Sequence, residues 1–430
     1  MRQFVFPIFA LMLGSAFLMV AGGINGLILP LRGSHEGFSA LSLGLLGTGW
    51  AIGYVTGCIY MPRLVRRAGH VRTFSTAAAL AVISVLLSLL LLHPGPWVVL
   101  RALAGFSFAG GAMIVESWLN ERTEERYRGR VFGLYTMVNL GATMVGQMLI
   151  ATGDTTGYLF FVLAAVFYAL AVVPTAVSTA AAPRPLVEAG LDMKALWRNS
   201  PLAVGGALLI GISNSAFGTL GVVFGNAINL EVTAIAAMMS VSLLAGTLFQ
   251  IPVGILSDKM DRRFVLLALV GLAMAIDLFF IIFLPSGTTT VLLATAMFGA
   301  AIYSVYPVII AHASDHAVPG NFIRISGGLL LLYGTGAIIG PLIAGSLMAL
   351  MPQRGMFLTT LLAHGLLFAY GAYRVTQRDA VSDEDKGDFV NIAPGRLSTP
   401  ETMALDPRSE EAEIHDWAEP GSDFPEDEEA

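Results

Sequence analysis

The sequence has 430 residues, of which 55% are hydrophobic and only 13% carry a charge. Together with a mean hydropathy of +0.73, this is more apolar side chain than the core of a soluble protein of this size could bury. The composition excludes a soluble globular protein and predicts an integral membrane protein in contact with a lipid bilayer. The single cysteine, Cys58, excludes a disulfide framework and a multi-cysteine metal site.

Twelve mainly apolar segments, spans 1 to 12, follow one another along the chain. Each has at least about 20 residues, the length at which a helix crosses a bilayer with its backbone polar groups bonded internally. Span 1 is too long for a signal peptide and lacks the small-residue cleavage site, so we expect it to remain as a helix. The spans are residues 5–30, 38–61, 71–93, 96–119, 129–152, 156–180, 200–226, 231–256, 263–284, 288–312, 323–350 and 355–375.

The basic residues predict the orientation of these spans. Of the 24 Lys and Arg residues, 21 precede residue 379. If the N-terminus is cytoplasmic, 18 of these 21 lie in cytoplasmic segments, where short loops retain basic residues. The exceptions are Arg32 and Arg354 on the other side and Arg101 within span 4. We therefore predict that both termini are cytoplasmic.

Residues 379–430 differ sharply in composition from the rest of the chain. They contain 17 acidic and three basic residues, with Pro, Ser and acidic runs such as PEDEEA. This composition is typical of a disordered segment. We predict a solvated cytoplasmic extension. The alternative is a regulatory or partner-binding segment, whose partner the sequence does not identify.

The two halves of the chain are related by a weak internal repeat. A shift of 194 residues superposes Arg130, Gly133 and Gly146 on Arg324, Gly327 and Gly340. Such duplicated halves are common in secondary transporters. We predict an N-terminal six-helix bundle at residues 1–180, a cytoplasmic linker at 181–199, a C-terminal six-helix bundle at 200–376 and a disordered acidic tail at 377–430.

Several stretches resemble signatures of the major facilitator superfamily. They are GILSDKMDRR at residues 254–263, LRALAGFSFAGG in span 4 and GAIIGPLIAG in span 11. VESWLNERTEERYRGRVFGLYTMVNLGATMVGQ and IYSVYPVIIAHASDH more narrowly resemble the bacterial YcaD-type branch. The resemblance covers nearly all of residues 1–376. It implies an all-α membrane protein with twelve transmembrane helices in two pseudo-symmetric bundles, acting as a monomer in a bacterial inner membrane.

The sequence departs from the family pattern at two positions. In the first half, Met61 followed by Pro62 stands where the second half has Asp258. Only the second half can therefore use a carboxylate at this position as a latch that holds the two bundles together on the cytoplasmic side. The glycine-and-proline motif that the family associates with antiporters in span 5 is found here in span 11, and span 5 has Gln147 in place of the proline. The direction of transport therefore stays open.

The charged loop between spans 8 and 9 is the predicted gate. Asp258 ends span 8, where the helix dipole disfavours a carboxylate, so it needs compensation from another element. The resemblance places span 8 beside span 5, and we expect Asp258 to dock on the free amide groups there when the cytoplasmic side is closed, with Gly254 allowing close approach. The alternative is that the loop only sets topology. Further gating candidates are Arg262, Arg263, Arg130 and Arg324.

Glu116 lies near the cytoplasmic end of span 4 and is a second gating candidate. We expect it to form an ion pair with Arg66, Arg67 or Arg130, an arrangement that the family resemblance also implies. The alternative is a proton carrier, which a paired carboxylate serves poorly because its pKa is low.

Three ionisable residues lie deeper in the spans and are further candidates for proton coupling. Arg101 cannot be neutralised and should face a cavity or a partner rather than lipid. The resemblance links it with proton coupling, and the alternative is an anchoring or anion-attracting role. Asp277 and His364 share a depth in spans 9 and 12, so we expect them to hydrogen-bond each other. They form either a structural pair or a proton relay.

The predicted substrate site lies near mid-membrane between the bundles, lined by spans 1, 4, 7 and 10 with contributions from 2, 5, 8 and 11. Neutral polar groups and aromatic faces at suitable depths predict a small neutral, zwitterionic or amphipathic solute. Each residue taken alone is also consistent with helix packing. The candidates are Asn25, Trp50, Tyr54, Asn139, Thr143, Gln147, Ser213, Asn214, Tyr303, Tyr306 and Tyr333.

Competing function classes lack their sequence signals. An ATP-driven pump would need a G-x-x-x-x-G-K-[ST] loop, which the sequence does not contain. Seven scattered histidines and the few acids of the spans predict no catalytic or metal cluster, no cofactor and no nucleic-acid partner. We predict a secondary transporter for a small molecule, working by alternating access and coupled to protons. The alternative is a transporter-derived membrane sensor that signals through the acidic tail.

Overall fold

The computed structural model describes residues 2–123, 127–176, 186, 192–317, 321–377, 381, 386–392, 395–404 and 406–409. Regular secondary structure in these residues is helical throughout. The first bundle consists of α1 (Arg2–His35), α2 (Ala40–Ala68), α3 (His70–Leu90), α4 (Pro94–Arg122), α5 (Arg128–Leu149) and α6 (Leu159–Ala176). The second consists of α8 (Pro201–Ala227), α9 (Val232–Lys259), α10 (Arg262–Phe283), α11 (Thr288–Ser314), α12 (Phe322–Leu350) and α13 (Gly355–Val375).

Two short helices lie outside the bundles. Helix α7 (Met193–Asn199) belongs to the predicted linker, and α14 (Pro400–Ala404) belongs to the acidic tail. Asp192 caps α7 by accepting a hydrogen bond from the Ala195 backbone N–H. Residues 181–185 and 187–191 of the linker lie outside the described residues.

Eleven of the described helices are long and apolar enough to cross a membrane. The predicted sixth span corresponds to α6, a shorter helix that is apolar over Leu159–Pro174. At a rise of about 1.5 Å per residue its 18 residues cover roughly 27 Å, close to the thickness of the hydrocarbon core. Residues 177–180 of the predicted span lie outside the described part of the chain. The predicted all-α membrane fold is confirmed.

The two bundles repeat the same packing. The pairs α1·α5, α1·α6, α2·α4, α3·α4 and α3·α6 correspond to α8·α12, α8·α13, α9·α11, α10·α11 and α10·α13. The crossing of α1 and α5 is a glycine contact, since a Cβ on Gly23 would lie 3.1 Å from the Gln147 N and 3.2 Å from the Gly146 Cα. In the second half Gly336 of α12 meets Gly211 of α8 in the same way. Close packing at small residues is how helices associate in lipid.

Among the described residues, the bundles touch each other directly in the half of the molecule that contains the first residues of α2 and the last residues of α12. We call this half the closed side. There α2 packs against α12, where the Thr48 hydroxyl donates to the Ile338 carbonyl over 2.8 Å. On the other flank α5 packs against α9, where the Ser240 hydroxyl donates to Gln147 Oε1 over 2.9 Å.

At the other end, the tail side, part of the acidic tail lies between the bundles. We call the described residues 386–392, 395–404 and 406–409 the tail segment. Helix α14 packs against α4 of the first bundle and α12 of the second, and Ile392, Ser398 and Met403 are buried. The predicted disorder is therefore wrong for the tail segment. Residues 410–430 lie outside the described residues.

Candidate functional site

A cavity lies between the bundles at the centre of the molecule. Its walls come from α1, α2, α4, α5 and α6 on one side and from α8, α9 and α11 on the other. Leu397 of the tail segment closes it from the tail side. The lining residues are Met19, Gly22, Gly23, Gly26, Leu27, Trp50, Arg101, Phe108, Thr143, Gln147, Tyr168, Gly218, Met239, Leu243, Tyr303 and Leu397.

Four of the predicted substrate residues line this cavity, namely Trp50, Thr143, Gln147 and Tyr303. Arg101 lines it as well, as expected for a charge that must avoid lipid. The guanidinium brings a fixed positive charge and several donors to a wall that is otherwise neutral. The cavity can therefore accept hydrogen bonds from a solute at Gln147 and donate them from Arg101.

The other predicted substrate residues do not line the cavity, and most of them bind other protein groups. Asn139 accepts a hydrogen bond from Ser15, Asn214 donates to the Ile302 carbonyl, and Ser213 binds His364. These contacts satisfy polar groups inside the bundles. They agree with the alternative given above, in which such residues serve helix packing. Asn25 is buried, the rings of Tyr306 and Tyr333 pack on each other, and Tyr54 stacks on Trp50 at the tail side of the cavity.

Sequence reasoning missed the glycine face of α1. Gly22, Gly23 and Gly26 line the cavity, and a Cβ on Gly26 would meet nothing within 4 Å. At Gly26 the absence of a side chain therefore leaves space that the cavity occupies. The signal was present in the run AGGINGL of span 1, which contains three glycines within five residues.

Glu116 lies at the tail side, fully buried at 0% exposure. The expected ion pair with Arg66, Arg67 or Arg130 is wrong for this structure. Instead the carboxylate accepts hydrogen bonds from hydroxyl groups of Tyr135, Thr399 and Thr402, the first and last at 2.8 Å. The two threonines belong to the tail segment. An uncompensated buried carboxylate is costly, and three hydroxyl donors provide compensation that sequence spacing could not show.

The loop between α9 and α10 also binds the tail segment. Asp258 accepts hydrogen bonds from the Phe389 backbone N–H over 3.1 Å and from Arg262 over 3.3 Å. Gly254 does permit a close approach, but the neighbour is the Phe389 ring and not α5. The docking of Asp258 on α5 belongs to a state closed at the tail side, so it stays a prediction.

The remaining predicted gating arginines have local partners or face solvent. Arg263 forms an ion pair with Asp261 at 2.6 Å. Burial acts to raise the pKa of Asp261, but hydrogen bonds from Arg263 outweigh it, so the pKa lies below its ordinary value. Arg324 pairs with Asp192 of the linker at 2.7 Å. Arg130 is exposed on the first turn of α5.

Asp277 and His364 form the expected hydrogen bond, at 2.7 Å between Oδ2 and Nδ1. Both side chains are buried. Thr360 donates to the other carboxylate oxygen over 2.6 Å, and His364 Nε2 lies 2.7 Å from the Ser213 hydroxyl of α8. This four-residue chain joins α10 and α13 to α8, the helix that carries Gly218 of the cavity wall.

Comparison with known proteins agrees with this architecture. The sequence model of the Major Facilitator Superfamily matches residues 11–230 and 202–408. The chain is 26% identical over 354 residues to the uncharacterized MFS-type transporter YcaD of Escherichia fergusonii, covering 80% of this chain and 89% of that protein. It is 26% identical over 358 residues to the protein of the same name from Salmonella newport, covering 81% and 90%.

Solved structures share the fold at low sequence identity. The nucleoside transporter NupG superposes with a TM-score of 0.67 at 14% identity, covering 87% of this chain and 99% of that one. A bacterial homologue of the human lysosomal transporter Spinster, in an inward-facing and occupied conformation, gives 0.68 at 16% identity and covers 90% and 98%. At these identities the likeness concerns the fold alone.

Proposed function

The chain belongs to the major facilitator superfamily and is of the YcaD type, so it is a multi-pass secondary transporter, and we propose that it moves a small neutral, zwitterionic or amphipathic solute by alternating access. The observation that carries this proposal is the cavity between the two bundles. It lies where transporters of repeated architecture bind their substrates, at the interface of the halves. Rocking one bundle against the other would expose it to each side in turn.

The chemistry of the cavity supports the proposed solute class. Arg101 offers donors to a carboxylate or carbonyl group, and Thr143 and Gln147 offer neutral hydrogen-bonding groups. Trp50 and Met239 also line the cavity and favour an apolar portion of the solute. Because the wall carries few charged groups among its described residues, a multiply charged ion would not be compensated.

We place the tail side in the cytoplasm and the protein in the bacterial inner membrane with both termini cytoplasmic. The support is the predominance of Lys and Arg in the segments at that side and the bacterial origin of the relatives. The conformation is then inward-open with the tail segment in place, because the bundles meet only at the closed side among the contacts described.

Coupling to protons belongs to the same proposal. Asp277, His364 and Ser213 form a hydrogen-bonded chain in which a carboxylate and an imidazole can share a proton. Arg101 in the cavity and Glu116 at the tail side are the further candidates. An intramembrane ionisable group of this kind is a functional candidate because its presence in lipid is otherwise costly.

A ligand screen tests the proposed function. Thermal-shift measurements on the purified protein against small metabolites and drugs would identify a ligand, and flux of that ligand in liposomes with and without a pH gradient would show coupling. We expect Arg101→Met to weaken ligand binding by about tenfold or more, since a hydrogen bond from a charged group contributes that much. Arg72→Met, at an exposed position of α3, is the matched control. Equal affinities of the two variants would contradict the proposed site.

Cross-linking tests alternating access. In a Cys58→Ala background, we expect Gln147→Cys and Ser240→Cys to be joined by a short bifunctional thiol reagent, because the native side chains touch at 2.9 Å. The cross-link holds the closed side shut, so flux should stop while ligand binding stays at the level of the same double-cysteine variant before cross-linking. Each single-cysteine variant treated with the same reagent is the control. Undiminished flux in the cross-linked protein would show that the closed side does not open during transport.

A further inference from the structure

The α9–α10 region holds the backbone of the tail segment through paired hydrogen bonds. Arg262 and Asp315 form a buried ion pair at 2.6 Å. Arg262 donates to the Gly387 carbonyl, and Asp315 accepts from the Gly387 N–H over 3.2 Å. Five residues further along the chain, the Gln250 amide donates to the Ile392 carbonyl and accepts from the Ile392 N–H, at 3.1 and 3.2 Å.

Contact to both the N–H and the C=O of one residue is a way in which a protein recognises extended chain, because the backbone groups then lose no hydrogen bonds on burial. Between the two pairs, Asp258 accepts from the Phe389 N–H and Gly254 receives the Phe389 ring. A side chain at residue 254 would collide with that ring at 2.5 Å. The surface therefore fits this stretch of chain in both its polar and its apolar groups.

The first bundle holds the following part of the tail segment. Tyr54 donates a hydrogen bond to the Ser398 carbonyl. Glu116 accepts from the hydroxyl groups of Thr399 and Thr402, and Thr399 also caps the short helix α14 by accepting from the Glu401 and Thr402 backbone N–H groups. The buried carboxylate thus depends on tail hydroxyls for two of its three hydroxyl donors.

We propose that the tail side of this transporter is a peptide-binding site whose ligand is the chain's own tail segment, seated there as a tethered inhibitor. The ligand class is an extended peptide that presents backbone groups to α9 and α10 and two threonine hydroxyls to Glu116. The binding site stands on these contacts alone, and the inhibition rests on the proposed function.

Inhibition follows from where the contacts lie. The tail segment binds Glu116 and Tyr54 of one bundle and Gln250 and Asp258 of the other, so the two faces cannot meet while it is present. Closure of the tail side is a required step of alternating access. With the tail segment in place, the water-accessible volume of the central cavity is about 60 Å³, enough for a few water molecules. Leu397 of the tail segment forms part of the cavity wall, so the tail segment also narrows the space available to a substrate.

The same contacts explain how release would lead to closure. Asp258 cannot accept from Phe389 and also dock on the first turn of α5. Departure of the tail segment frees this carboxylate for the predicted latch. Besides Arg262, Asp258 would then have a backbone partner in each state, the tail N–H when the side is open and the amides of α5 when it is closed.

Cysteine labelling of the full-length protein tests the binding site without any substrate. In a Cys58→Ala background, Met403→Cys places a thiol at a buried position of α14, and Asn391→Cys places one at an exposed position of the same segment. We expect a charged maleimide to label Met403→Cys at least about tenfold more slowly, because labelling requires the segment to open. Addition of Thr399→Val and Thr402→Val should speed it at least about tenfold, since both hydrogen bonds to the carboxylate are lost.

Thr335→Val removes a hydroxyl that bonds only its own helix at Leu331 and should leave the rate unchanged. Equal labelling of Met403→Cys and Asn391→Cys would overturn the binding site. Protection that persists in the double valine variant would overturn the assignment of Glu116 as its anchor.

Flux measurements with an identified ligand test inhibition. We expect the double valine variant to transport at least several-fold faster than the parent protein, with Thr335→Val unchanged. Slow labelling together with unchanged flux in the double valine variant would overturn inhibition and leave the binding site. An absence of flux in every variant, with labelling as expected, would contradict the proposed function and not the binding site.

Discussion

Asp277→Ala is expected to destabilise the protein by about 3 kcal/mol, because removing one member of a buried hydrogen-bond network leaves its partners unsatisfied. The carboxylate is the partner of both Thr360 and His364, and none of the three side chains is appreciably exposed. The methyl group of alanine satisfies neither. We expect a marked drop in the thermal unfolding temperature of the purified protein and a smaller yield of monodisperse protein.

Asp277→Asn is the matched variant for this prediction. The amide oxygen can still accept from Thr360, and the amide N–H₂ can donate to His364 if the imidazole carries its proton on Nε2 and donates it to Ser213. We therefore expect most of the stability to return. If the pair relays protons, Asp277→Asn should also abolish the dependence of flux on a pH gradient. A stable Asp277→Ala protein would show that this network does not support the fold.

The helices could be predicted closely because a long apolar segment that crosses lipid in a chain of this kind must form a helix. Every backbone group must be bonded within the span, so hydropathy and length suffice to locate it. The predicted span 231–256 is α9 (Val232–Lys259), and the predicted span 355–375 is α13 (Gly355–Val375). The Asp277–His364 contact was predictable for a related reason. Two ionisable groups at one depth in hydrocarbon are expected to find each other.

The site was harder to predict because its shape depends on tertiary contacts and on glycine residues, which have no side chain. Glu116 was expected to find an arginine, yet its partners Thr399 and Thr402 lie far away in sequence. Residues 379–430 are acidic on average, but they include the stretch FVNIAPGRLSTP, which contains no acidic residue and several apolar ones. Overall acidity predicted a solvated tail, but this shorter stretch has enough apolar and hydroxyl groups to be buried.

Gly26→Leu is expected to abolish transport without harming the fold. A Cβ at residue 26 would meet nothing within 4 Å, and the residue lines the central cavity. The leucine side chain would therefore occupy the space that the solute needs. Replacement of a helical glycine should itself stabilise α1 slightly, by up to about 1 kcal/mol. We expect an unchanged or higher unfolding temperature, and flux reduced by at least about tenfold, the effect of a steric cost of only about 1.4 kcal/mol.

Gly23→Leu, one turn earlier on the same helix, is the control that separates cavity filling from disruption of packing. A Cβ at residue 23 would lie 2.3 Å from the Thr143 carbonyl oxygen, a backbone atom that cannot move aside unless α1 and α5 separate. We expect destabilisation of at least about 1–3 kcal/mol, the usual cost of overpacking, measured as a lower unfolding temperature. If Gly26→Leu were the less stable of the two variants, the cavity would not lie on this face of α1, because only a residue facing open space tolerates the larger side chain.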